Sequence, residues 1–278
     1  MDEQRRGGID AGILVDPAAR PVIGHRGDSA HFPENTLPSF DRAVELGADA
    51  IEFDLRVSRD GEVVIIHDPT VDRTTNGTGA VASLTLAELK SLDAGARFSP
   101  DGGRTFPFRG RGLTIPTFDE MLARYTSVPL LIEVKIPEAA HLTPAVLNRR
   151  DANGRVVLDS TDVKALEPFH GLPLITGASL RDIVSILPRA LFGLPLGQVL
   201  YRAFCVPLWY KGIPVPVGRL ARAGHRSGFP THVWTVNDPS VAERLWRSGI
   251  NGIISDDPGT MLQVRERISA SDPTASSH

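Results

Sequence analysis

Charged residues recur at every second position in two otherwise apolar runs, Ala50-Ile-Glu-Phe-Asp-Leu-Arg-Val57 and Leu130-Leu-Ile-Glu-Val-Lys-Ile136. Successive side chains of an extended chain point to opposite faces, so Glu52, Asp54 and Arg56 share one strand face and Glu133 and Lys135 another. Alternation of this kind in one strand alone describes a solvated edge; its repetition in a second strand argues for a face that binds something. Burying three carboxylates without a counter-charge costs on the order of several kcal/mol per group, which makes a cation the natural occupant of such a cluster. The pattern points to a metal-assisted enzyme.

Two histidines come to the same place. His25-Arg-Gly27 ends a strand read over Pro21 to His25. The four residues Ser58-Arg-Asp-Gly61 are too short for a crossover helix, so the run Val63 to His67 must fold back as a hairpin on the second strand. A turn centred on Arg59 and Asp60 sets Glu52 roughly opposite His67. The inventory is then two histidines, three carboxylates, an arginine and a lysine. It supplies an acid and a base, a cage for a hard cation and cationic grips for an anion, which together suit phosphate-ester chemistry. Asp68 can either orient His67 or turn the chain before Pro69, and Asn35 is read first as a helix cap.

These residues need a scaffold. Strands are expected over Pro21 to His25, Ala50 to Val57, Val63 to His67, Pro129 to Lys135, Arg155 to Asp159, Leu172 to Thr176, Phe204 to Tyr210, Thr231 to Val236 and Gly252 to Ser255. Helices fall between most of them. Thr85 with Glu88 and Thr117 with Glu120 have capping-box spacing, Asp238-Pro239 opens a helix that Gly249 closes, and Gly47 ends another. Alternating strands and helices imply parallel pairing. With the hairpin set aside, eight strands remain, the number of an α/β barrel, whose catalytic residues gather at the C-terminal strand ends.

The 278 residues, 41% hydrophobic with net charge −3, describe one compact body over roughly 20–267, flanked by tails at 1–19 and 268–278. The charge gives no nucleic-acid footprint. Cys205 is the single cysteine, so no intramolecular disulfide can form, which suits the cytoplasm. No apolar run has the length of a membrane span, and contact with a membrane surface stays open.

The chain resembles the glycerophosphodiester phosphodiesterase family in His25-Arg-Gly-Asp28, Pro33-Glu-Asn-Thr36, Glu52-Phe-Asp54, Ser58-Arg-Asp-Gly61, His67-Asp68, Glu133-Val-Lys135, His232-Val-Trp-Thr-Val-Asn237 and Gly252-Ile-Ile-Ser-Asp256, in family order. The resemblance implies a distorted (β/α)8 TIM barrel with a β-hairpin after strand 2 and a small insertion over about 71–116. It also implies hydrolysis of glycerophosphodiesters to an alcohol and sn-glycerol 3-phosphate. In that scheme His25 and His67 share acid and base roles, Glu52, Asp54 and Glu133 hold a divalent cation, and Arg26 and Lys135 contact the phosphate. An all-carboxylate cage selects Ca²⁺ or Mg²⁺. Trp234 either fills the barrel mouth or forms an apolar wall for the substrate.

Two stretches depart from the common pattern. Leu191 to Gly218 is rich in apolar residues and carries prolines at 195, 207, 214 and 216. It reads as a helix, a buried strand and a turn, or as an apolar lip for an acyl chain, in which case the substrate is a lysophospholipid. Pro137 and Pro144 are expected to leave only a short helix around Ala145 to Arg149. A phosphodiester lyase that retains a cyclic phosphate and a non-catalytic binding protein on the same barrel are the competing functions.

Overall fold

In the computed structural model, which describes residues 11–271, the strands are β1 (Val22–His25), β2 (Ala50–Val57), β3 (Val63–Ile65), β4 (Leu130–Val134), β5 (Val156–Asp159), β6 (Ile175–Thr176), β7 (Phe204–Pro207), β8 (Trp209–Tyr210), β9 (Ile213–Pro214), β10 (Thr231–Trp234) and β11 (Gly252–Ser255). Eight of them pair in the order β6-β5-β4-β2-β1-β11-β10-β7, all parallel. Gly177 bridges Ala203 in parallel, and the amides of Arg202 and Ala178 bond to the carbonyls of Thr176 and Ala203, so the two ends of the row meet. This is the expected distorted (β/α)8 barrel. β3 hangs on β2 as the antiparallel hairpin arm.

Register sorts the side chains into layers. Ile51, Phe53, Leu55, Leu130, Ile132, Val134, Val156 and Leu158 face outward and form one core with the surrounding helices. The opposite faces point into the barrel. There His25 lies beside Glu52, Glu52 beside Leu131, and one row higher Asp54, Glu133 and Asp159 are neighbours. The alternation read in β2 and β4 is therefore the inner face of a closed sheet at its C-terminal rim.

The hairpin forms with a register one residue away from the expected one. Leu55 pairs with Ile65 and Val57 with Val63, which centres the turn on Asp60, where the Ser58 hydroxyl donates to the Asp60 carboxylate and Gly61 takes φ 86°. Glu52 is thus not opposite His67. A continued ladder would put His67 opposite Phe53, on the helix side. Instead β3 ends at Ile65, Arg56 Nε donates to the His67 carbonyl at 2.8 Å, and the imidazole enters the barrel mouth.

The helices are α1 (Leu37–Leu46), α2 (Leu86–Lys90), α3 (Phe118–Arg124), α4 (Pro137–Arg149), α5 (Val163–Leu166), α6 (Leu180–Phe192), α7 (Val217–Ser227), α8 (Pro239–Arg247) and α9 (Pro258–Ser271). Both capping boxes are present, and the Asp238 side chain caps α8. The prolines do not shorten α4 as expected. Pro137 sits at the first position, where its missing N–H is not needed, and burial of Ala139, Ala140, Thr143, Val146 and Leu147 outweighs the one bond that Pro144 removes. β6 is shorter than expected because Pro173 lacks an N–H, and after Pro207 the chain leaves the barrel to form a small β8–β9 ribbon.

The insertion has its own small core of Val64, Ile66, Val71, Val81, Leu89, Ala94 and Ile115. Part of the expected N-terminal tail is structural. Ala11 and Leu14 are buried against Ile23, Ala50, Leu131 and Ile254 inside the barrel, because a closed sheet needs its floor filled. The rest of that tail, 1–10, and residues 272–278 of the C-terminal one lie outside the described residues. Among the described residues no helix is long and apolar enough to cross a membrane.

Candidate active site

The C-terminal ends of the strands surround a cavity of about 240 Å³ lined by His25, Arg26, Glu52, His67, Glu133, Lys135, Asp159 and Trp234, among others. Seven of the eight residues singled out from sequence are in that set. The eighth, Asp54, lies fully buried beneath it, held by Lys135 Nζ at 2.9 Å, Arg26 Nε at 3.2 Å and Asn35 Nδ2 at 2.8 Å.

Local backbone explains how Arg26 arrives. After β1 the chain turns with Arg26 at φ 56° and Gly27 at φ 90°, and any Cβ on Gly27 would come within 2.4 Å of Ser39 Oγ. The left-handed conformation costs an ordinary residue roughly 1–2 kcal/mol. It is held by the Ser39 hydroxyl and the Asn35 amide, both donating to the Arg26 carbonyl. The Arg26 amide then donates to Glu52 Oε2 at 3.0 Å, and its guanidinium reaches Glu34. Asn35 is therefore not the cap of α1, whose first residue follows Thr36; its amide instead braces Asp54.

Each histidine is oriented by a carboxylate at Nδ1. His25 Nδ1 is 2.6 Å from Asp256 Oδ1, and that carboxylate also accepts from Ser29 and Asn237. His67 Nδ1 is 2.6 Å from Asp68 Oδ1, so Asp68 orients the ring while also lying in the bend before Pro69, and Arg73 from the insertion ties Asp68 to Glu34. The insertion thus anchors one of the two histidines.

The electrostatics set the two rings apart. Burial works to lower the His25 pKa, but Glu52, 3.9 Å from Nε2, and the bond to Asp256 outweigh it and hold the ring above 6.5. Burial lowers His67, and Lys135 and Arg26 add to that, so it stays below 6.5 despite Asp54 and Asp68. Burial and the neighbouring Asp54 push Glu52 up to about 7. Asp54 goes the other way: against its burial, Lys135 and Arg26 keep it below the usual carboxylate range.

A cation fits this donor set. One oxygen from each of Glu52, Asp54 and Glu133 lies within 4.8 Å of the others, and Asp54 and Glu133, adding to the larger effect of burial in raising Glu52, leave a surplus of negative charge there. Lys135 Nζ, 2.5 Å from Glu133 and 2.9 Å from Asp54, already meets part of that surplus.

Four site residues escaped the sequence reading. Asp256 was visible as a motif but not as the partner of a histidine 231 positions away. Glu34 and Arg73 join only when the insertion folds over the mouth. Asp159 carries a single carboxylate at a strand end; it is buried, raised well above its ordinary value by burial, Glu133 and Glu52, and accommodated because Gly177 opposite has no Cβ, which would sit 2.2 Å from Asp159 Oδ1.

Comparison with known proteins agrees with this geometry. The model of the glycerophosphoryl diester phosphodiesterase family matches residues 25–167 and 187–260. A glycerophosphodiester phosphodiesterase of Caldanaerobacter subterraneus subsp. tengcongensis is 33% identical over 259 residues, spanning 87% of this chain and 96% of its own. An Oleispira antarctica phosphodiesterase solved in complex with the product sn-glycerol-3-phosphate is 26% identical with a TM-score of 0.71, covering 89% of this chain and 97% of its own. The glycerophosphodiester phosphodiesterase of Thermotoga maritima is 26% identical with a TM-score of 0.69, covering 88% and 98%. Matched by the family model over most of its length and by a relative at 33% identity across nearly the whole of that relative, the chain belongs to the glycerophosphoryl diester phosphodiesterase family.

Proposed function

We propose that this cavity hydrolyses glycerophosphodiesters to an alcohol and sn-glycerol 3-phosphate, with a divalent cation at Glu52, Asp54 and Glu133. The observation that carries the reading is a pair of histidines, each with an aspartate at Nδ1, lining one cavity whose wall and floor hold that acidic cluster. A structural relative bound to sn-glycerol-3-phosphate supports the substrate class.

The cation, Ca²⁺ or Mg²⁺ by the all-oxygen donor set, supplies charge neutralisation at a phosphoryl oxygen. Every other step belongs to the chain. Arg26 and Lys135, both held cationic by neighbouring carboxylates, grip the phosphate. His67, displaced toward its neutral form, accepts the proton of the attacking water as the new P–O bond forms. His25, displaced toward its protonated form, donates to the alkoxide as the old P–O bond breaks. Asp68 and Asp256 fix which ring nitrogen faces the substrate. Trp234 walls the substrate side. The cytoplasm is the proposed setting, supported by an unpaired, buried Cys205.

The test is to strip the protein with EDTA, restore Ca²⁺ or Mg²⁺ in parallel, and follow glycerophosphocholine by ³¹P NMR. Metal-dependent glycerol 3-phosphate is the expected product. Accumulation of a cyclic phosphate would make the protein a lyase, and absence of turnover with either cation would leave a binding protein on the same barrel.

A further inference from the structure

A second cavity, about 260 Å³, opens beside the catalytic one, and the two share Asp159, Thr161, Cys205 and Trp234 in their walls. Past that junction the lining changes character. α6 contributes Leu180, Ile183 and Leu187, and the β8–β9 ribbon contributes Tyr210 and Ile213. Among the described residues no lysine, arginine or histidine lines this annex, and Asp159 at the junction is its one carboxylate. A phosphate therefore finds no partner in it and an ammonium headgroup only the carboxyl at the junction, whereas an apolar group gains by leaving water there.

The open side is apolar as well. Val184 and Ile213 line the annex while remaining 60% and 68% exposed, and Trp209 beside them on the ribbon is 63% exposed. Scattered surface apolar residues are ordinary, but an exposed apolar rim continuous with an apolar cavity marks a ligand or lipid contact. Glycerol and small polar alcohols would leave this space unused.

We propose that the annex takes the fatty acyl chain of a monoacyl glycerophosphodiester, a lysophospholipid, drawn in past Val184 and Ile213 while its phosphodiester sits between the two histidines. Resting on the diesterase reading above, the reaction is the same hydrolysis. Water adds across the P–O bond to the headgroup, the headgroup alcohol leaves with a proton, and lysophosphatidic acid remains. The Trp234 indole and Thr161 divide the polar chamber from the apolar one.

The experiment compares glycerophosphocholine with lysophosphatidylcholines of increasing chain length, all below micelle formation, at saturating Mg²⁺ or Ca²⁺, measuring kcat/KM by choline release. Each methylene that enters the annex should raise kcat/KM about fourfold until the space is full. Ile213→Asp and Val184→Asp should abolish that chain-length dependence and leave glycerophosphocholine turnover unchanged. Because these variants sit on exposed positions, circular dichroism and the glycerophosphocholine rate together verify their folding. Cleavage of glycerophosphocholine with no gain from a chain would overturn the annex assignment and leave the diesterase reading standing; cleavage of neither would overturn both. A chain-length gain seen with alkyl esters of glycerophosphate and not with lysophosphatidylcholines would place the apolar group on the leaving alcohol, which also overturns the acyl assignment.

Discussion

His25 and His67 have the same kind of partner at Nδ1, an aspartate at 2.6 Å, yet the tasks proposed for them differ because of what faces the rest of each ring. Glu52 stands near His25, whereas Lys135 and Arg26 bear on His67. Replacing either ring by alanine should lower kcat by about 10²–10⁴-fold with the fold intact; retention of more than a few per cent of activity in both variants would defeat the acid and base assignment. The pH profile tests the division of labour separately. Activity should rise with pH through the His67 pKa, below 6.5, and fall again through that of His25, above 6.5. Asp256→Asn removes a charge that stabilises the imidazolium, so the His25 pKa drops and the alkaline limb of kcat/KM moves to lower pH, while the acid limb stays. A purely structural role for Asp256 would lower the rate without moving that limb.

At the scale of elements, the barrel floor carries a titration of its own. His232 on β10 is fully buried, its Nε2 bonded to the Leu14 carbonyl at 2.9 Å, and burial lowers its pKa to about 4 from 6.5. As pH falls below 6.5 the unfolded chain takes the proton before the folded one does, so this contribution to stability is complete above 6.5 and is lost toward pH 4. Between pH 7 and pH 5 the loss amounts to about 2 kcal/mol. Glu52 and Asp159, raised by burial, act in the opposite direction over the same range. The measurement is therefore a difference: urea melts of wild type and His232→Gln at both pH values, with the wild type losing about 2 kcal/mol more than the variant. Equal changes would mean that the floor opens readily to solvent. What the sequence discloses divides along similar lines. The inner faces of β2 and β4 were legible because period-two alternation carries charge at consecutive inward positions, and the hairpin was legible because four residues cannot hold a crossover. Its register was not, since one residue more or less in a turn alters no composition. The pairing of His25 with Asp256, the plug formed by Ala11 and Leu14 and the annex between α6 and the ribbon arise only when distant elements meet.

For the molecule as a whole, the acidic cluster ties stability to the cation. The barrel concentrates Glu52, Asp54, Glu133 and Asp159 on neighbouring strands, and burial, with the charge of Asp54 adding to it, raises the Glu52 pKa to about 7. A cation that binds the assembled cluster and not the unfolded chain adds RT ln(1 + [M]/Kd), about 2.7 kcal/mol at a hundredfold excess over Kd. For a domain of this size each kcal/mol moves Tm by roughly 2–4 °C. Saturating Ca²⁺ or Mg²⁺ should therefore raise Tm by roughly 5–10 °C over the EDTA-treated protein. Glu133→Gln, which removes a ligand charge without removing volume, should shift the metal titration of both Tm and activity to at least about tenfold higher concentration. Ile213→Asp, in the annex and outside the Glu52, Asp54 and Glu133 cluster, should keep the wild-type metal response in full. Unchanged metal titration in Glu133→Gln would take that residue out of the cage. A weakened response in Ile213→Asp would mean that the two chambers are one cooperative unit, with the ribbon helping to hold the carboxylates in place.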